Sequence, residues 1–232
     1  MTRHSRNARR DRMAGEPGSP PRVFPRGGVD EPGSPPRVFQ RGGADERGQS
    51  LIELAFILPL LIALAFGVIE VSYALLDQHV VTKMTREGSN LISRDTTLQD
   101  AATAMRTMSS RPLDFNSSSR MIFSVLKKGA TSGTTNFDRI ILYQRHEFGS
   151  LSGVASTLTT LGSGAFRGAP EYEAINSDTD GNLQISNLPA NLELVRGGML
   201  YVTEIYTKHP VITPLDRFGI TVPDTLYSIA YF

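Results

Sequence analysis

Residues Gly48–Leu76 read GQSLIELAFILPLLIALAFGVIEVSYALL, and the fold turns on this stretch. From Leu54 to Leu76 only Glu70 and Ser72 break its apolar character. As a helix rising about 1.5 Å per residue, the run reaches roughly 35 Å, enough to cross a hydrocarbon core of about 30 Å. Pro59 and Gly67 lie inside it, and both are better tolerated in membrane helices than in soluble ones. The reading is one transmembrane helix. A carboxylate, Glu53, stands where the run begins, shortly after Gly48. The sequence before it is rich in arginine, including Arg41 and Arg47. Basic flanks stay in the cytoplasm, so the N-terminus is expected inside and everything after about residue 77 outside.

Charge is distributed unevenly around this helix. The 232-residue chain has a formal net charge of only +1, but residues 1–48 hold ten arginines against six acidic residues. Downstream of residue 48 the balance is slightly acidic, so no broad basic footprint for nucleic acid exists there. The chain has no cysteine, which excludes disulfides, thiolate metal sites and cysteine nucleophiles. Its four histidines, His4, His79, His146 and His209, are too far apart in sequence for a spaced metal motif. No cofactor and no catalytic constellation is expected.

The N-terminal arm carries a tandem repeat: EPGSPPRVFPRGGVD (Glu16–Asp30) is followed by EPGSPPRVFQRGGAD (Glu31–Asp45). Two copies are too few for a solenoid, and one Val-Phe pair per copy cannot bury a core. The arm reads as disordered with some polyproline character. A duplicated leader is favoured over a proline motif for a cytoplasmic partner.

Helical patterning continues beyond the membrane. Val80, Val81, Met84, Gly88, Leu91 and Ile92 recur at helical spacing, with Gly88 the weak point, since glycine costs about 1 kcal/mol relative to alanine in a soluble helix. A second helix is expected over Thr97–Met108, ended by Pro112. After that, short β-like runs alternate with polar linkers: Met121–Leu126, Arg139–Phe148, Met199–Thr207 and Thr225–Phe232. The Gly/Ser/Thr-rich region Gly149–Ala169 reads as loop. The fold class expected is α+β, a long N-terminal transmembrane helix followed by a small antiparallel β-sheet. The expected divisions are a leader over 1–48, the helical part over 49–110 and a β-rich periplasmic domain over 111–232.

The run from Gly48, through the apolar stretch, to Thr85-Arg86-Glu87-Gly88-Ser89 resembles the TadE-like family, minor pseudopilins of the tight-adherence (Tad/Flp) pilus and secretion system. The residues that carry the likeness are Gly48, Glu53, Pro59, Gly67, Glu70, Arg86, Glu87 and Gly88. It covers about residues 48–94. YVTEIYTKHPVITPL, Tyr201–Leu215, also looks like the family's closing strand and proline-containing turn. The long leader and the segment 112–195 depart from the family pattern. The resemblance implies cleavage after Gly48 by a membrane-embedded aspartic prepilin peptidase, leaving Gln49 as the new N-terminus and Glu53 as the fifth residue. It also implies partners: that peptidase, other Tad pseudopilins, the inner-membrane pilus machinery and membrane lipid. The implied architecture is pilin-like, and the implied location is the bacterial inner membrane.

Physical chemistry supports this choice of residues. Glycine lacks a Cβ, so an extended chain can lie close to a protease's backbone. A freed α-amino group has a reference pKa near 8 and is largely charged at neutral pH, so a neighbouring subunit's Glu53 can pair with it. Breaking a buried ion pair costs on the order of 3–5 kcal/mol, which disfavours subunits out of register.

Competing readings stand beside these. On spacing alone, Glu53 fits an interfacial residue equally well. Glu70, roughly 25 Å further along the helix, is expected as a solvated residue at the periplasmic end, with intersubunit pairing as the alternative. Pro59 is either a tolerated kink or a place where the helix bends during extraction. Asn176, Asp178 and Asp180 match positions 1, 3 and 5 of a calcium loop, but position 12 is Asn187 rather than a bidentate glutamate. A polar turn is favoured there. Gly162–Gly168, GSGAFRG, misses the dinucleotide fingerprint and reads as flexible loop. Ala63–Ala65 forms an A-x-A site that ordinary signal peptidase would cut before Phe66. Finally, the chain fits a single-pass anchored periplasmic binding domain that enters no filament.

Overall fold

The structure, a computed structural model, describes residues 45–189, 192–214, 219 and 223–232. The arm over residues 1–44, with nearly all of its repeat, lies outside the described residues. By internal contacts the chain divides into two units, Met1–Gly48 and Gln49–Phe232.

The apolar run and its amphipathic continuation form one helix, α1, Asp45–Ile92, with Pro59 inside it. It is long and apolar enough to cross a membrane. Most of its side chains between Leu51 and Leu76 are exposed, among them Phe56, Leu60, Leu64, Val71 and Leu75. Beyond Gln78 the same helix turns inward, burying Val81, Met84, Thr85, Gly88, Ser89 and Ile92. This change of character is the sequence switching from a run apolar all round to one with an apolar stripe.

The chain reverses after Ile92 through Asp95, whose φ of 57° is left-handed. It then enters α2, Leu98–Met108. Thr97 caps α2: its Oγ1 accepts from Asp100 N and donates to Asp100 Oδ2. Such a cap satisfies backbone donors that have no partner within the helix.

Four strands follow: β1 Ser119–Lys128, β2 Ile140–Gly149, β3 Met199–Lys208 and β4 Thr225–Tyr231. They form one fully antiparallel sheet in the order β2-β1-β3-β4. The α+β expectation holds, and each of the four expected β runs falls within or against its strand. Residues of alternating face have separate tasks. Met121, Phe123, Val125 and Ile205 join Val81, Met84 and Ile92 of α1 and Leu98, Ala101 and Met105 of α2 in the main core. The opposite face is also covered. Leu126, Leu142 and Val202 pack with Leu158, Phe166, Ile185 and Leu188 of the irregular region between β2 and β3.

Two sequence readings change here. Gly88, the weak point of the helical pattern, is where α1 comes closest to the sheet: a Cβ there would lie 2.9 Å from Thr203 Cγ2 and 3.2 Å from Phe123 Cε1. The cost in helix propensity is offset by a close helix–sheet contact. In the Gly162–Gly168 loop, glycine is required by packing. A Cβ at Gly164 would overlap Leu183 Cδ2 and one at Gly162 would overlap Asn182 Oδ1.

Gly88→Leu and Gly67→Leu therefore separate packing from propensity. Both gain about 1 kcal/mol of helix propensity, but among the described residues nothing lies within 4 Å of a Cβ at Gly67. Thermal unfolding of the detergent-solubilised chain should show Gly88→Leu destabilised by about 1–3 kcal/mol and Gly67→Leu unchanged or more stable. Among the described residues, buried Thr203 Oγ1 has no hydrogen-bond partner. Thr203→Val should accordingly stabilise the same chain by about 1 kcal/mol.

Candidate functional site

The residues singled out by sequence spread along α1 in three places. At the N-terminal end, Gly48 and Gln49 lie within the helix and are exposed. Gln49 Nε2 donates to Glu53 Oε1 at 3.2 Å, one helical turn on. The carboxylate at the mouth of the apolar run is thus oriented by the residue that follows Gly48. Pro59 is exposed in the run beyond it.

The second place is Glu70, and here the expected solvated helix end is overturned. Glu70 is only 1% exposed, although Ile69 and Val71 beside it are exposed. Its stripe, comprising Ala63, Phe66, Gly67, Ala74 and Asp77, is also partly covered. The cover at Glu70 is the turn that follows β3. Ile212 N donates to Glu70 Oε2 at 3.2 Å, Thr213 N at 2.9 Å and Thr213 Oγ1 at 2.7 Å. Several donors on one carboxylate make strong, charge-assisted bonds.

His209, 2% exposed, continues the arrangement. Its Nδ1 donates to Asp77 Oδ2 at 2.7 Å, because a carboxylate can only accept. Its Nε2 lies 3.5 Å from Glu70 Oε1. Glu70 and Asp77 are two turns apart on one helical face, and His209 sits between them. The Gly67-x-x-Glu70 motif and the His209–Thr213 turn, distant in sequence, are therefore one structure. The turn itself was legible from its prolines, but its docking on Glu70 was not. A carboxylate buried by a remote turn leaves no local mark in sequence.

At the third place, Arg86 and Glu87 are exposed while Gly88 faces the sheet. Arg86 and Glu87 line a groove of about 510 Å³ with Asn90, Tyr231 and Phe232. Ser89 Oγ donates to Ala230 O at 3.0 Å and Gln78 Nε2 to Tyr227 O at 3.1 Å. These side chains tie α1 to β4.

The Asn176–Asp180 stretch forms a turn in which several polar groups are engaged. Asn136, fully buried, donates through Nδ2 to Ser177 O at 2.7 Å and Asp180 O at 2.9 Å. Asp178 Oδ2 accepts from Thr131 Oγ1, and Asp180 Oδ1 from Asn182 N. The side-chain amide of Asn136 thus fills the role of cross-linking the loop carbonyls. Asn176 has a left-handed φ of 59°, as turn asparagines tolerate.

Sequence reasoning also missed Glu204, fully buried on β3. It accepts from Thr157 N at 2.8 Å, Thr157 Oγ1 at 2.6 Å and Tyr227 OH at 3.1 Å, and from Ser156 Oγ. Arg145 reaches the same cluster through Ser156 Oγ at 3.0 Å and Leu158 O at 3.3 Å. Burial lowers the Arg145 guanidinium from its ordinary value, against the opposing pull of Glu147 and Glu204. Burial also pushes the Tyr227 phenol well up, so it remains a donor. The cluster fastens the irregular layer to the sheet.

A family model described as TadE-like protein matches residues 48–90. The match takes in Gly48, Glu53, Pro59, Gly67, Glu70, Arg86, Glu87 and Gly88, and the resemblance read from these residues is found there. It covers less than half of the chain. No curated protein and no solved structure matches the chain.

The Glu70 contact makes a direct prediction. Glu70→Ala removes the acceptor for two amides and a hydroxyl, a loss of about 2–3 kcal/mol of local stability. Hydrogen exchange at Ile212 and Thr213 should accelerate by about a hundredfold, while exchange in β1 stays slow. Glu70→Gln, which keeps one acceptor oxygen, should give an intermediate rate.

Proposed function

We propose that this chain is a minor pseudopilin of a Tad/Flp-type pilus or its secretion machinery. In this reading α1 is held in the inner membrane with its N-terminus in the cytoplasm, and the sheet domain is periplasmic. A prepilin peptidase removes the leader between Gly48 and Gln49. The role is structural rather than enzymatic, and the partners are other Tad pseudopilins and the inner-membrane pilus machinery.

The observation that carries the reading is the bare half of α1 within a TadE-like match. Between Leu51 and Leu76 the helix exposes leucine, isoleucine and phenylalanine, with Glu53 as the carboxylate at its mouth. Such a surface needs lipid or other apolar helices around it. In lipid Glu53 lies near the interface, where the insertion cost is small compared with about 2.5–3.5 kcal/mol at the bilayer centre. Within a helix bundle it needs a partner, and the α-amino group of Gln49 in a neighbouring cleaved subunit supplies one.

The local geometry adds two details. Gln49 already holds Glu53 through its side chain, so the carboxylate is pre-oriented before any neighbour arrives. Gly48 lies in α1, so a peptidase that reads an extended chain has to unwind the start of the helix. Glycine lowers that cost.

Mass spectrometry of the membrane-extracted protein tests the processing. A mature N-terminus at Gln49 is expected. An N-terminus at Phe66, or an unprocessed chain, rejects the pseudopilin reading. Glu53→Ala should leave the protein in the membrane at wild-type level but lower pilus assembly about tenfold or more, the scale set by loss of a buried pair. Full piliation in that variant would point instead to an anchored periplasmic domain outside any filament.

A further inference from the structure

The turn held by Glu70 lies at the level of the apolar part of α1. Its two bonds from Ile212 N and Thr213 N fix the turn beside residue 70. The exposed apolar surface of the helix continues past that point through Val71, Leu75 and Leu76. At about 1.5 Å per residue, Leu76 is about 9 Å further along the axis. The turn is thus flanked on both sides by helix surface suited to hydrocarbon.

The turn's own residues divide by environment. His209 and Thr213 point inward and are buried, whereas Pro210, Val211, Ile212 and Pro214 are exposed. Val211 is 43% and Ile212 54% exposed. Pro210 and Pro214 have no N–H to satisfy, and Ile212 and Thr213 give theirs to Glu70. Irregular backbone enters a bilayer only where its polar groups find protein partners, and two of this turn's amides have such a partner in Glu70. Behind it, at the end of the sheet, Arg111, Asp114, Lys208 and Asp224 line a recess that also includes His209 and Val211. An apolar tip backed by a charged collar fits a membrane–water interface.

We infer that the Pro210–Pro214 turn is a second membrane contact, dipping its Val211 and Ile212 side chains into the outer leaflet beside α1. The partner is lipid, and the inference rests on α1 spanning the membrane as proposed above. Glu70 is then the intramembrane acceptor that lets the turn enter, and Asp77 with His209 holds the turn's start at the interface. Two contacts, helix and turn, fix the tilt and rotation of the sheet domain over the membrane.

The absence of cysteine allows a direct test on the full chain in phosphatidylethanolamine/phosphatidylglycerol vesicles. Ile212→Cys, Leu64→Cys and Leu161→Cys are each labelled with an environment-sensitive fluorophore. Leu64 is exposed within the apolar run and Leu161 is exposed on the irregular layer. The label at Ile212 should be quenched by spin-labelled lipid carrying its label near the headgroup. It should also be protected from aqueous iodide about fivefold or more relative to Leu161, as expected for insertion to about 5–10 Å. Iodide quenching at Ile212 equal to that at Leu161, with Leu64 still quenched by lipid, overturns the inference and leaves the span intact. Protection from iodide without lipid quenching also overturns it, and assigns the turn to a protein neighbour. If Leu64 itself escapes quenching by lipid spin-labelled deep in its acyl chain, the membrane-span reading fails and the inference falls with it.

Discussion

A single helix in this protein carries two different surfaces. Its first half shows aliphatic and aromatic side chains on nearly every side, and its second half forms one wall of a core. There is no break between them. The sheet packs against the second half, while the first half stays exposed. Gly88 sets the closest approach of helix to sheet, and Ser89 and Gln78 pin the edge strand β4 to it. With α1 fixed, β1 and β3 occupy the centre of the sheet, where their inward residues meet it.

The C-terminal turn makes the junction between the two halves definite. A carboxylate in the apolar region of a helix is costly unless it is bonded. Glu70 is bonded by Ile212 and Thr213, and Asp77 by His209. These contacts reach across most of the domain sequence. The same contacts hold the domain against the helix in one orientation.

On the far side of the sheet, burial is achieved with little regular structure. Glu204 and Asn136 do there what helices usually do, gathering loop amides and carbonyls onto buried polar side chains. Buried polar groups of this kind are stabilising only when fully satisfied. That requirement gives the long connection between β2 and β3 a defined path despite its Gly, Ser and Thr content.

The sequence by itself determined the elements. The apolar run from Leu54 to Leu76, the continuing i, i+3/i+4 stripe to Ile92 and the β-branched, aromatic runs all act locally, through hydrophobic periodicity. They marked out a helix long and apolar enough to span a membrane, its extension and four strands. The spacing of Gly48, Glu53, Gly67, Glu70 and Arg86-Glu87-Gly88 likewise marked the TadE-like stretch. Only the tertiary structure decided what Glu70, Gly88, Glu204 and Asn136 do. Each takes its meaning from a partner far away in the chain: Glu70 from Thr213, Gly88 from Thr203, Glu204 from Thr157, Asn136 from Asp180. Whether a carboxylate is solvated or buried depends on what folds over it, and local pattern carries no record of that.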